Sequence, residues 1–101
     1  MKHTLIITAL GLLASNAALA NADLARAKSC MACHTVDRKI VGPSFKDIAL
    51  RHRADKGAEA KLAGKLRAGS SGAWGKVPMP PNPQLSDADA RQLARWILTQ
   101  K

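Results

Sequence analysis

The sequence predicts an all-α domain of about four short helices gathered around one covalently held group. Apolar residues recur at helical spacing in several segments, and no segment alternates as a strand would. The chain has only 101 residues, with one Phe, two Trp and no Tyr. Its two cysteines fall in a single pentapeptide, Cys30-Met31-Ala32-Cys33-His34. So small a domain buries a marginal core and needs a staple. With both thiols in one motif there is no disulfide framework, and a covalent cofactor would supply the missing apolar mass.

Residues 1–20 read as a cleavable leader rather than as part of the fold. Met1-Lys2-His3 is a short basic start, Leu5 to Leu13 is apolar, and Ala18-Leu19-Ala20 has the small-x-small pattern of a signal-peptidase site. Ala20-Asn21-Ala22 offers a second cut, so cleavage is expected after Ala20 or Ala22. The uncharged run is short for a membrane span of ~20 residues, and no stable membrane insertion is expected. The domain is then residues 21–101, exported to the periplasm.

Within it, Asp23 to Ala32 reads as a first helix, with Leu24, Ala27 and Met31 on one face. Val36 to Gly42 is a connection. Gly42-Pro43 marks a turn before a brief helix from Ser44 to Arg51, with Ser44 as its cap. A third helix, Ala58 to Ala68, turns Leu62 and Leu66 inward and Lys61 and Lys65 to water. Gly69 is expected to close it in a left-handed conformation. The last helix starts at Ser86 and carries Ala90, Leu93, Trp96 and Ile97 on its apolar face. Leu24 and Ala27 are the expected partners of Leu93 and Ile97.

The chemistry resides in the pentapeptide. C-x-x-C-H is the attachment sequence of a c-type haem. Thiols three positions apart, about one helical turn, can add to the two vinyl groups of one porphyrin. The adjoining His34 then reaches the iron from the proximal side. C-x-x-C alone would equally suit a redox dithiol or half a zinc site. The second candidate ligand is Met79, in Val77-Pro78-Met79-Pro80-Pro81-Asn82-Pro83. Prolines stiffen this stretch and could hold the sulfur at a fixed place. A lone Met is usually core filler, but a proline-flanked loop is a poor place for filler.

These stretches, with Val41-Gly42-Pro43, Gly57-Ala58-Glu59-Ala60, Gly69-Ser70, Gly72-Ala73-Trp74-Gly75 and the Trp96 helix, resemble the small class I bacterial cytochromes c of the c-551 type. The resemblance covers essentially the whole mature chain. It implies the class I cytochrome c fold, one haem c, and His34 and Met79 as axial ligands. It also implies that the Pro43 carbonyl holds His34, that the Trp74 indole N–H meets a haem propionate, and that Asn82 hydrogen-bonds near the Met79 sulfur. Lys65 stands where some relatives carry an Arg directed at the propionates, and Ala25 where relatives carry a large aromatic.

A six-coordinate iron has no open position, so the expected function is one-electron transfer and not catalysis. Partners would be redox proteins, such as a quinol-oxidising cytochrome complex and a periplasmic reductase or terminal oxidase, met by a monomer. The formal net charge of +9 falls to +8 when Lys2 leaves with the leader. The cations are scattered, with no dense block and no interleaved aromatics, so a nucleic-acid or membrane-surface binder driven by charge alone ranks well behind electron transfer. The main alternative is a haem-based sensor or enzyme with a displaceable sixth ligand, in which His52 competes with Met79. A thiol–disulfide exchanger is the other, and it would want strands. For His52 itself a solvated surface position is expected.

Overall fold

The computed structural model describes residues 21–101. The expected leader, residues 1–20, lies outside the described residues. Four helices appear among the described residues, and no strand: α1 over 21–27, α2 Phe45–Arg51, α3 Ala58–Ala68 and α4 Asp87–Leu98.

The first helix is shorter than its pattern suggests. Ser29 takes a left-handed conformation, φ 63° and ψ 20°, and the chain re-enters a 3-10 turn at Cys30–Ala32. A non-glycine residue with positive φ costs free energy. Here it breaks α1 away from the cysteine turn, so Asp23 to Ala32 is two elements. The packed alanine also differs from the one expected. Ala25 is buried in the core and Ala27 faces solvent, while Leu24 is half-buried against the core.

Helices α2 and α4 begin alike. The hydroxyls of Ser44 and Ser86 accept the N–H of Asp47 at 3.1 Å and of Asp89 at 3.0 Å. Each cap satisfies one orphan amide and is worth ~1 kcal/mol. Carboxylates in the first turn, Asp47 in α2 and Asp87 and Asp89 in α4, complement the helix dipole.

The core forms where α2 and α3 both pack on α4. From α4 come Ala90, Leu93, Ala94, Trp96 and Ile97, from α3 Leu62, Ala63 and Leu66, and from α2 Phe45 and Ile48. The small Ala90 and Ala94 let the helices approach closely. Leu85 plugs the end just before α4. The five ion pairs of the described residues join exposed or half-buried groups at the surface, and such pairs contribute little. No helix of the described residues is long and apolar enough to cross a membrane.

Candidate functional site

One face of the core is left open as a cleft of about 1270 Å³, counting the solvent at its mouth. Cys30, Cys33 and His34 line one side. Phe45, Leu62, Leu66, Leu93 and Trp96 form the floor, and the stretch from Ser70 to Pro80 forms the far wall. Two thiols, an imidazole and a thioether therefore share one apolar cavity.

The cysteine turn owes its shape to one carbonyl. Cys30 O accepts the N–H of Cys33 at 3.2 Å and of His34 at 3.0 Å. From there the His34 ring is fixed three ways. Its Nδ1–H donates to Pro43 O at 2.7 Å. A carbonyl can only accept, so in the neutral ring Nε2 is the nitrogen without a proton; it has no hydrogen-bond partner among the described residues. Phe45 stacks on the ring, with centroids 5.2 Å apart and planes at 22°. Gly42 closes against it so tightly that a Cβ there would lie 2.5 Å from His34 Cε1. That close approach is why the turn needs glycine before Pro43. Phe45 in turn meets Trp96 edge-on at 5.1 Å, which relays the core packing of α4 to the imidazole.

The Met79 wall is built differently. Met79 N–H donates to Ser70 O at 2.8 Å, and Ser70 N–H to Met79 O at 3.1 Å. This pair pins the strap to the end of α3. Gly69 makes it possible, and not by the left-handed cap expected. With φ 78° and ψ 175° it occupies a region open essentially to glycine alone. A Cβ there would lie 2.7 Å from Met79 O and 2.9 Å from Pro81 N. Beyond Met79, Asn82 Nδ2 donates to Leu66 O at 3.0 Å and Asn82 N–H to Arg67 O at 3.1 Å. The Asn82 side chain thus satisfies an orphan carbonyl at the end of α3. Its hydrogen bond goes to that carbonyl and not to the Met79 sulfur.

Burial pushes the Cys30 thiol up, opposed only by a backbone hydrogen bond, whereas a dithiol exchanger needs a lowered one. Among the described residues no three His, Cys, Asp or Glu side chains gather as a metal-binding group, which leaves the half zinc site without its other half.

The comparisons with known proteins agree with this cavity. The cytochrome c family model matches residues 19–101. This chain belongs to the cytochrome c family. Cytochrome c-552 of Nitrosomonas europaea is 54% identical over 90 residues, covering 89% of this chain and 87% of that protein. Cytochrome c-551 of Pseudomonas aeruginosa is 51% identical over 74 residues, covering 73% of this chain and 70% of that protein. The crystal structure of wild-type Nitrosomonas europaea cytochrome c552 superimposes with a TM-score of 0.78 at 56% identity. That match spans 79% of this chain and 99% of that one. The chain is a small class I c-type cytochrome, an electron carrier with covalently held haem c.

The cleft of this cytochrome suits that group. Its floor is apolar, both thiols open onto it, and its titratable lining besides the cysteines is Lys39, Lys65, Lys76, His34 and His52, with no carboxylate. A porphyrin bearing two carboxylates matches such a lining in shape and sign. Trp74 is half-buried on the wall, and its indole N–H has no protein acceptor among the described residues. Lys65 is exposed, as its helical position predicts, yet it lines the cleft. His52 is half-buried and also lines the cleft, a departure from the solvated position expected. The sequence pattern missed Arg51, whose guanidinium carbon lies 3.4 Å from the centroid of the Trp74 ring. A cation ending an exposed helix carries no sequence signal of such a contact.

Proposed function

We propose that the protein is a periplasmic mono-haem electron carrier whose iron is held by His34 on one side and Met79 on the other. One observation carries the reading. A histidine with its Nδ1 proton engaged and its Nε2 free shares an apolar cleft with a methionine pinned at its backbone. When bound, the haem supplies a one-electron iron couple. Cys30 and Cys33 form the thioethers. Pro43 O strengthens His34 as a donor by holding its other nitrogen. The Met79 thioether is a soft donor that favours ferrous iron and raises the potential. The Trp74 N–H is available to a propionate. With two protein ligands no position is left for substrate.

Export follows from the leader reading of residues 1–20. The docking face is the mouth of the cleft. Val41 and Val77 are 53% and 65% exposed there, beside the exposed Lys39 and Lys76. Apolar contact ringed by lysine suits an acidic redox protein that binds briefly, with encounter steered by charge. Its donor and acceptor would be a quinol-oxidising complex and a periplasmic reductase or terminal oxidase.

The deciding experiment is the visible and near-infrared spectrum of the exported holoprotein, oxidised and then reduced. Sharp ferrous c-type bands with a sulfur-to-iron charge-transfer band in the ferric form, unchanged by carbon monoxide, are expected. A missing charge-transfer band, or a ferrous spectrum shifted by carbon monoxide, would replace this reading with the sensor or enzyme.

A further inference from the structure

The wall between Ser70 and Met79 is a gap in the hydrogen-bond network. From Ser71 to Pro78 a single hydrogen bond ties the backbone to any other described residue: Arg51 Nη1 donates to Ala73 O at 2.6 Å. The same guanidinium lies 3.4 Å from the Trp74 ring centroid. Gly72 and Gly75 flank the contact with φ of 81° and 117°, and a Cβ at either would meet nothing within 4 Å. Trp74 is half-buried against the core, and the backbone on either side of it has no further support, so the Arg51 contact adds to that packing. Arg51 sits in the last turn of α2, whose Phe45 and Ile48 are in the core, so its anchor is rigid.

We propose that Arg51 is a positioning residue that clamps the Trp74 strap onto α2, and through the strap keeps Met79 facing the cleft. A planar guanidinium can lie on the indole face and still donate an edge N–H to a carbonyl. A lysine ammonium can do one or the other but has no plane to stack. The interaction is therefore specific for arginine and not for positive charge alone. The clamp also places a permanent cation over the indole ring, whose N–H would be available to a cofactor carboxylate. The part concerning Met79 rests on the ligation proposed above. The part concerning Trp74 does not.

The test is hydrogen exchange of the two indole N–H groups in the holoprotein, in the native chain, Arg51→Gln and Arg51→Lys, with the charge-transfer band followed on heating. In Arg51→Gln the Trp74 indole should exchange at least about thirtyfold faster, the scale of a cation–π contact plus one charge-assisted hydrogen bond. The indole of Trp96, buried in the core, should not change. The charge-transfer band should vanish at a lower temperature while far-ultraviolet circular dichroism does not move. Arg51→Lys should recover part of both. Unchanged Trp74 exchange in Arg51→Gln, equal acceleration of both indoles, or full recovery by lysine would overturn the clamp. A native protein without the charge-transfer band would defeat the Met79 ligation and leave the indole test standing.

Discussion

The two sides of the cleft hold their candidate ligands by different means. On the His34 side hydrogen bonds are spread along the whole connection. Gly42 N–H donates to Cys33 O at 2.7 Å, Phe45 N–H to Thr35 O at 2.9 Å and Lys46 N–H to Val36 O at 3.1 Å. The imidazole is stacked, hydrogen-bonded and walled by glycine. On the Met79 side, anchorage is concentrated at Gly69 to Ser70 and at Asn82, with one side-chain bond between. The lesson concerns where the site gives way. Two covalent bonds to haem secure the first side in any case. Under the ligation proposed above, the second side would depend on a weak thioether bond, and its protein support is the thinner.

The largest expected effect breaks the His34 side. Phe45→Ala removes the ring between His34 and Trp96 and opens a cavity in the core, costing ~3–5 kcal/mol. Denaturant unfolding of the holoprotein measures it. The charge-transfer band should survive until the whole domain unfolds, because the strap is untouched. A band lost well before global unfolding would mean the two sides are not separate.

Asn82→Ala is the converse. It leaves Leu66 O without its donor, which costs ~1–3 kcal/mol. The loss should fall on the strap. The band should disappear on mild heating, below the temperature at which the helices melt. Coincident loss of band and helix would erase the contrast.

The smallest effect sharpens the comparison by lying outside both sides. Lys61 hydrogen-bonds Asp55 and, with the Gly57 N–H, holds its carboxyl below the usual carboxylate value. A group lowered by folding stabilises above its unfolded value, about 3.9. That contribution disappears as pH falls through this value to the folded one. Asp55→Asn should remove a small acid-limb loss of stability, seen by thermal melts against pH, and leave the charge-transfer band alone. Asp55 is exposed, so the change is slight. A stability that instead rose on acidification through this range would reverse the assigned sign.

Much of this was legible in the residues. Ser44 and Ser86 announced helix starts because a hydroxyl followed three residues later by an aspartate is a local signal, and α3 has the bounds its apolar spacing predicts. The pentapeptide announced the cofactor because covalent attachment demands a fixed spacing. What could not be read depends on tertiary approach. Ser29 breaks the first helix although serine gives no such warning, and within that helix Ala25, not Ala27, is the buried alanine. Gly69 reads as an ordinary helix end, but its conformation is dictated by the strap arriving from ten residues later. Arg51 and Asn82 find partners on other elements, which spacing along the chain does not encode.

Gly69 carries one more consequence. The atoms that a side chain there would strike are Met79 O, Pro81 N and Pro80 C, all backbone. Its requirement is therefore indifferent to which side chains the strap displays. In a library randomised at position 69 and across 71–77, selected for a coloured holoprotein, position 69 should return glycine whatever the other positions become. The strap could then be rewritten for another partner while its hinge with α3 stays the same.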